Sequence, residues 1–298
     1  MDSTQKNAYS GFLKKTAGIF KRDTAFLFLL PGLIGFLLFY IVPFFYSLGY
    51  AFVDKPVNGK FAGLQNFISL FANKAYLKGL KNTMIIIGLS VPANMFLSLT
   101  VAMMIHKLKK GKEGFALLFL IPLVIPSGSM VLFWKSLFTY EGALNGLLNV
   151  INIAPVNWLE TGNVRFVMIV IFIWKNLGYN MVLFLAGLNN IPKQYYEAGK
   201  VDGTGKWQAF RHITVIYLLP TFVLVTIMSI INSFKAFKEI YLITGSYPHD
   251  SIYILQHFMN NMFTSLNYQK LTTATCVLVL IITVVTQLLF KIEKKVSP

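Results

Sequence analysis

The chain has 298 residues, of which 55% are hydrophobic and only 13% are charged, and its mean hydropathy is +0.61. Soluble domains carry about 25% charged residues, so too little polar surface remains here to cover a water-soluble globule. The net charge of +16 therefore does not indicate a nucleic-acid-binding protein. Cys276 is the only cysteine, which excludes an internal disulfide bond and a cysteine-cluster metal site. The composition indicates an integral membrane protein.

The polar and basic N-terminal segment 1–24 precedes the first apolar run, and no small-x-small cleavage site follows that run. A cleavable signal peptide is therefore not expected. Phe12, Leu13, Ile19 and Phe20 alternate with basic residues in this segment. This pattern predicts either a helix on the membrane surface or a disordered basic tail, and the two alternatives stay open.

Six apolar stretches are long enough to cross a bilayer, which takes roughly 20 helical residues. Lipid offers backbone groups no partner, and the alternation of a membrane β-barrel is absent, so the spans are expected to be α-helices. The expected spans are Ala25–Tyr50, Met84–Ile105, Phe115–Phe133, Phe166–Leu188, Ile213–Ile231 and Thr272–Phe290. These spans also contain Pro31, Pro43, Pro92, Pro122, Pro126 and Pro220. The sequence predicts an all-α, polytopic protein whose kinked bundle of six transmembrane helices encloses a cavity.

An even number of spans places both termini on one side of the membrane, and the distribution of Lys and Arg indicates which side. With both termini in the cytoplasm, 16 basic residues lie inside, 10 lie outside and Lys175 lies within a span. The external segment 54–81 opposes this orientation, because it contains five lysines. The external segments, Ala51–Thr83, Trp134–Arg165 and Asn232–Leu271, are too short for a separate domain.

The segment 189–212 between the fourth and fifth spans reads NNIPKQYYEAGKVDGTGKWQAFRH. Asn190 is the expected N-cap of a first short helix, and Thr204 is the expected N-cap of a second. An Asp-Gly turn that ends at Gly203 separates the two helices. The segment therefore predicts a helix–turn–helix that lies at the cytoplasmic face.

A recognisable motif occupies this segment. Glu197 and Ala198 open it, Gly203 follows Gly199 after three residues, and Ile213 follows Gly203 after nine. The pattern resembles the EAA loop of the membrane subunits of bacterial binding-protein-dependent ABC importers. Gly199 stands where that loop has its second alanine, and the leucine and proline that end the family motif are absent.

Wider stretches, among them FLLPGLIGFLLFYIVPFFYSL, FAGLQNF and FLIPLVIPSGSMVLFWKSLF, are similar to sugar-importer permeases of the maltose and oligosaccharide type. The resemblance implies a bacterial inner-membrane protein with a type I ABC importer permease-like bundle. It implies these divisions: a cytoplasmic tail at 1–24, a first helix at 25–50, a core at 78–290 with a coupling loop at 189–212, and a tail at 291–298.

The same resemblance implies the partners of the chain: a second homologous permease, two cytosolic ATPase subunits, an extracellular solute-binding protein and a sugar. ATP and Mg would be bound by the ATPase subunits, and no cofactor is expected in this chain. The loop residues implied to contact the ATPase are Glu197, Ala198, Gly199 and Gly203, and Asp202 and Phe210 are implied to support them.

The residues themselves do not indicate an enzyme. The glycine-rich stretch from Gly199 departs from a phosphate-binding loop, because its spacing is one residue too long and Trp207 stands where Ser or Thr binds Mg. The four histidines lack metal-ligand spacing. No acidic residue lies within any expected span, which argues against a proton-driven carrier.

Polar and aromatic side chains at helical spacing within the later spans predict a solute path. The candidates for contact with solute are Asn94, Trp174, Lys175, Asn176, Tyr179, Asn180, Asn232 and Ser233. Amides, hydroxyls and aromatic faces suit a neutral sugar better than an ion. The alternative for Ser and Asn is a hydrogen bond between helices. Lys175 requires a cavity or a partner, because a buried ammonium group is costly.

The sequence therefore predicts a permease subunit of an ATP-driven importer for a sugar or oligosaccharide. One alternative is import of a non-sugar solute such as glycerol phosphate. Others are an ATP-independent secondary carrier and a membrane scaffold that recruits an ATPase without moving solute.

Overall fold

The computed structural model describes residues 27–55 and 57–296. The expected N-terminal tail, with both of its alternatives, lies outside these ranges. Within them the regular structure is helical, apart from an isolated antiparallel bridge between Val53 and Phe61. The all-α fold class is confirmed.

The helices are numbered here in chain order. They are α1 (Leu27–Tyr50), α2 (Gln65–Phe71), α3 (Lys74–His106), α4 (Lys112–Val124), α5 (Ser127–Phe138), α6 (Ala143–Val150), α7 (Val164–Asn189), α8 (Lys193–Val201), α9 (Lys206–Ala209), α10 (Leu219–Lys235), α11 (Phe237–Thr244), α12 (Leu255–Thr264) and α13 (Tyr268–Val296). Shorter turns are π-helical at Leu37–Ile41 and Phe210–Thr214, α-helical at Val215–Tyr217 and 3-10 at Asp250–Ile252.

Five helical segments are long and apolar enough to cross a membrane: α1, α3, α7, α10 continued by α11, and α13. The remaining expected span is a bent pair, in which α4 is followed by the helical stretch that begins with α5. The expected spans are therefore present as five such segments and one broken span. Their helices extend beyond several of the expected bounds, as in α3, which begins at Lys74 rather than near Met84.

The expectation that Phe115–Phe133 forms one continuous helix is wrong. α4 ends at Val124, α5 begins at Ser127, and the two axes differ by 91°. Pro126 causes the break, because proline disfavours the helical conformation at the residue before it and donates no backbone hydrogen bond. Ile125 is accordingly extended, with ψ at 127°.

The fifth expected span, Ile213–Ile231, differs at both ends. Pro220 has no N–H, and the regular helix α10 begins only at Leu219. At the other end α11 continues the helical segment to Thr244, which brings Glu239 within it. The expectation that no acidic residue lies in a span is therefore wrong for this segment.

α3 and α7 run side by side in the same direction. Near their first residues, Arg165 Nη2 donates to Asn82 Oδ1 at 3.0 Å. At their last residues, His106 Nδ1 and Asn189 Oδ1 are 3.0 Å apart. The end of the bundle defined by His106 and Asn189 is called the loop end, because the segment 189–212 begins there.

α10 and α11 run back from the loop end against α7. A Cβ built on Gly187 would lie 2.5 Å from Thr221 Oγ1, so the two helices cross closely there. α1 differs from the other spans, because none of its side chains is buried within the chain. Its π-helical turn precedes Pro43, which cannot donate a backbone hydrogen bond within α1.

Candidate solute cavity and coupling loop

A cavity of about 210 Å³ lies between α4, α7 and the α10–α11 segment. Its lining combines apolar side chains with polar and charged ones. The lining residues are Leu123, Met168, Ile171, Phe172, Lys175, Asn176, Asn232, Lys235, Ala236, Glu239 and Ile240. The structure thus brings three of the predicted solute-path residues together: Lys175, Asn176 and Asn232.

The charge of Lys175 is met by a partner that the sequence analysis missed. Lys175 Nζ donates to Glu239 Oε1, and Ser127 Oγ donates to the same oxygen at 2.9 Å. The Glu239 side chain is only 4% exposed and that of Lys175 is 23% exposed. The sequence did contain a signal for this partner. A buried ammonium group requires a carboxylate, and Glu239 is the one acidic residue between Asp202 and Asp250.

The second carboxylate oxygen of this pair is unsatisfied. Glu239 Oε2 is buried and has no hydrogen-bond partner among the described residues. A buried acceptor without a donor costs about 1–3 kcal/mol, and more when it is charged. The site therefore holds a charged acceptor whose hydrogen-bonding capacity is only half used.

Two other predicted solute-path residues serve a different purpose in this structure. Asn180 Nδ2 donates to Asn94 Oδ1 at 2.8 Å and to Ser229 Oγ at 2.8 Å. Ser98 Oγ lies 3.0 Å from Asn94 Oδ1 and 3.0 Å from the carbonyl oxygen of Leu177. Asn94, Ser98, Asn180 and Ser229 are all fully buried, and together they are called the polar knot. The polar knot ties α3, α7 and α10 together, and its members line neither cavity.

The remaining candidates lie around these two clusters. Trp174 packs edge-to-face on Trp134, with ring centroids 5.4 Å apart. Ser233 lines a second, smaller cavity and donates to the carbonyl of Ile230 at 2.6 Å. Tyr179 is half-buried and lines neither cavity. The two cavities share the wall formed by Met168, Phe172, Ala236 and Ile240.

The segment Asn189–His212, called the coupling loop from here on, contains the predicted helix–turn–helix as α8, a turn and α9. Gly203 has φ of +74°, a left-handed conformation that favours glycine. The turn is closed by hydrogen bonds from the N–H of Thr204 to the carbonyl of Gly199 at 2.8 Å and from the N–H of Gly203 to that of Lys200 at 3.1 Å.

The predicted N-caps of the coupling loop are wrong. Asn190 is the C-cap of α7, and Pro192 precedes α8 in an extended conformation. α9 begins after Gly205 rather than after Thr204. The N–H of Gly205 donates to the side chain of Gln208 at 3.0 Å, and this bond replaces the expected hydroxyl cap.

The coupling loop has an outer and an inner face. Glu197, Ala198, Asp202 and Gly203 are exposed. Gly199 is half-buried, and a Cβ built there would lie 3.3 Å from Ile213 Cδ1, so this glycine permits close packing against the following turn. The two faces separate the residues available to a partner from those that hold the loop on the bundle.

Aromatic residues carry the packing of the inner face. Tyr196 packs with the core that contains Ile105 and Leu188 at the ends of α3 and α7, and its hydroxyl lies 2.9 Å from Thr214 Oγ1. Phe210 packs on the same core and stacks on Trp207, whose side chain is 71% exposed. The coupling loop is therefore fixed to the ends of α3 and α7, and it leads through the short turns at Phe210–Thr214 and Val215–Tyr217 into α10.

Long apolar helices, a cavity between them with polar and charged groups in its wall, and an anchored loop at one end are the features of a multi-pass membrane permease. The chain matches the family described as binding-protein-dependent transport system inner membrane component over residues 65–298, and it belongs to this family. It is accordingly a transport subunit of the membrane. The family assignment does not favour an ATP-independent carrier.

Relatives of known name cover nearly the whole chain. The probable ABC transporter permease protein YesP of Bacillus subtilis is 30% identical, over 94% of this chain and 93% of the relative. The lactose transport system permease protein LacF of Rhizobium radiobacter is 29% identical, over 89% and 92%. The trehalose/maltose transport system permease protein MalF of Thermococcus litoralis is 30% identical, over 87% and 91%.

The fold is also that of a solved transporter. A bacterial ABC transporter involved in the import of the acidic polysaccharide alginate matches with a TM-score of 0.82 at 22% identity, over 95% of this chain and 100% of that chain. The predicted importer-permease bundle is thereby confirmed as a fold.

Proposed function

We propose that this chain is a permease subunit of an ATP-driven importer that moves a sugar or oligosaccharide into the cell. The observation that carries the proposal is the coupling loop, which is exposed on one face and packed on the ends of α3 and α7 on the other. The names of the relatives support a carbohydrate, since two of them are permeases for lactose and for trehalose or maltose.

The geometry suggests how ATP hydrolysis in partner subunits moves this bundle. Two cytosolic ATPase subunits bind the ATP and Mg, and the outer face of the coupling loop is seated in a cleft of one of them, with Glu197, Asp202 and Gly203 in contact. Their closure pushes α8 and α9, and the π-helical turn at Phe210–Thr214 transmits the push towards α10. α10 has 17 residues and is therefore about 25 Å long, so motion at the loop end reaches the cavity lining at Asn232.

The proposal includes the orientation and the partners of the chain. The loop end faces the cytoplasm, and both termini lie on the same side of the membrane. An extracellular solute-binding protein delivers solute at the opposite end. A second permease subunit covers the exposed apolar surface of this chain, of which α1 is the clearest part because none of it is buried.

A substitution at Gly203 tests the coupling. Gly203→Val places a β-branched residue at φ of +74° and distorts the turn, although a Cβ there meets no atom within 4 Å. Sugar uptake and co-purification of the ATPase are expected to be lost, while the amount of protein in the membrane is unchanged. Gly205→Ala is the matched control, because Gly205 has φ of −70° and a Cβ there would make only an ordinary contact with Gln208 Oε1 at 3.7 Å. Uptake by Gly203→Val at the wild-type rate would contradict the proposal.

A further inference from the structure

The cavity between α7 and α10–α11 contains three ionisable side chains: Lys175, Glu239 and Lys235. Lys175 and Glu239 are bonded to one another, whereas Lys235 is exposed. Glu239 is 3% exposed, and its Oε1 already accepts hydrogen bonds from Lys175 and Ser127. Its Oε2 has no donor among the described residues and no contact with solvent. The cavity wall thus contains one buried, charged acceptor that lacks a donor.

The chemistry of the pair favours a hydroxyl as that donor. An anionic solute could use Lys175 only by displacing Glu239, and it would approach the buried carboxylate against like charge. A sugar hydroxyl donates one hydrogen bond and accepts another, so it can bond to the free oxygen while the ion pair stays intact. Hydrogen bonds to charged groups are stronger than those between neutral groups, so a single bond to this carboxylate can contribute to the selection of a sugar.

We propose that Glu239 contacts the solute directly, with Oε2 accepting a hydrogen bond from a hydroxyl of a neutral sugar in the cavity. The inference rests on the proposed function and names the group that recognises the solute. Oε2 is closed to solvent in this conformation, and α11, which carries Glu239, follows α10 after Ala236, where the regular helix is interrupted by one residue. The proposal requires that movement at Ala236 opens this oxygen to the cavity. Lys175 and Ser127 then hold the carboxylate in place.

Two competing roles for the free oxygen lead to different expected results. In the first, the pair of Lys175 and Glu239 only stabilises the bundle, and Oε2 remains unsatisfied throughout transport. In the second, the partner that Oε2 gains is the ammonium group of Lys235, which lines the same cavity. A substitution at Glu239 alone does not separate these cases, so the experiment varies the solute as well.

The experiment uses the complete transporter, with its partner subunits and binding protein, in proteoliposomes. Labelled lactose, maltose, trehalose and arabinotriose identify the sugar that the wild type imports fastest, and a wild type that imports none of them counts against the proposed function. Monodeoxy analogues of that sugar are then compared in the wild type and in Glu239→Gln. Glutamine keeps the shape and can still accept from Ser127, but it places an NH₂ group where Oε2 was.

Glu239→Gln is expected to import about tenfold less sugar per ATP hydrolysed, while stimulation of the ATPase by loaded binding protein stays within about twofold. In the wild type, one deoxy analogue should be imported about tenfold less well than the parent sugar. In Glu239→Gln, that analogue and the parent sugar should be imported equally. This cycle isolates the contact, because the contribution of the binding protein is the same in both variants. Glu113→Gln, which alters an exposed carboxylate away from the cavity, is the matched control.

Three results would overturn the proposal. In one, every deoxy analogue loses import by the same factor in both proteins. In another, the exchange Lys175→Glu with Glu239→Lys restores transport as well as thermal stability, which is the behaviour of a purely structural pair. In the last, Lys235→Met reproduces the loss of Glu239→Gln and the double variant loses nothing more, which identifies Lys235 as the partner of Oε2.

Discussion

The polar knot and the pair of Lys175 and Glu239 lie about one helical turn apart on α7, and both join α7 to the α10–α11 segment. The polar knot is neutral and fully buried, and its members line neither of the two cavities. Its Asn180 Oδ1 also lacks a hydrogen-bond partner among the described residues. The ion pair borders a cavity of about 210 Å³ and keeps one oxygen unsatisfied. At adjacent turns of α7, the polar knot therefore joins helices, whereas the pair of Lys175 and Glu239 is available to contact a solute.

Free volume and charge distinguish the two clusters better than residue type does. Asn94 and Asn180 have the same chemistry as Asn176 and Asn232, yet only the second two line the cavity. Interhelical hydrogen bonds in membranes contribute modestly, whereas an unpaired charge there is costly. Substitutions in the two clusters are thus expected to have effects of different size on stability and on sugar import.

The largest effect is expected for Lys175→Met, which leaves Glu239 buried without its counter-charge. Removing one partner of a buried ion pair costs about 3–5 kcal/mol, so the free energy of unfolding should fall by this amount. Denaturation of the purified protein in detergent measures it. The second substitution Glu239→Gln should recover most of the loss. Lys78→Met, which removes the lysine of the exposed pair with Asp250, is the control and should leave unfolding unchanged.

A smaller effect is expected where α7 meets α4, at a residue between the two clusters. A Cβ on Gly178 would lie 1.8 Å from the carbonyl oxygen of Phe119, so Gly178→Ala must move one helix away from the other. Overpacking of this kind costs about 1–3 kcal/mol. Gly88→Ala, in α3, is the control because no atom lies within 4 Å of its built Cβ. Equal melting temperatures for the two variants would contradict the close helix crossing.

The smallest effect is expected in the polar knot. Asn180→Ala removes the hydrogen bonds to Asn94 and Ser229, and interhelical bonds of this kind average about 0.6 kcal/mol each in membranes, so the loss should be roughly 1 kcal/mol. The polar knot has no ionisable side chain, so the loss should be the same at acidic and neutral pH. Sugar import per ATP should follow the amount of folded protein. A larger loss of import than of folded protein would place Asn180 in the solute path instead.

Much of the fold could be predicted from local patterns. Four of the six expected spans each correspond to a single observed helix. This agreement follows because a long apolar run must be helical in lipid, whatever surrounds it. The break at Pro126 was not predicted, since a proline within a span can also be accommodated by a kink, as at Pro92 within α3. Neighbouring helices decide between these outcomes.

The candidate site was predicted less completely. Lys175 was recognised as needing a cavity or a partner, and the structure supplies both. Glu239 was missed because the expected fifth span ended at Ile231, eight residues before it. The caps at Asn190 and Thr204 were mistaken because several adjacent polar residues and glycines fit the same local rule.

By itself, the sequence determined the membrane class, the helical secondary structure and the position of the coupling loop, because each depends on residues that are close together in the chain. The tertiary structure alone decided which polar side chains border a cavity and which carboxylate meets Lys175. That partner lies 64 positions away in the chain. Its place depends on how each helix is rotated about its axis and where its neighbours break, and a hydropathy pattern contains neither.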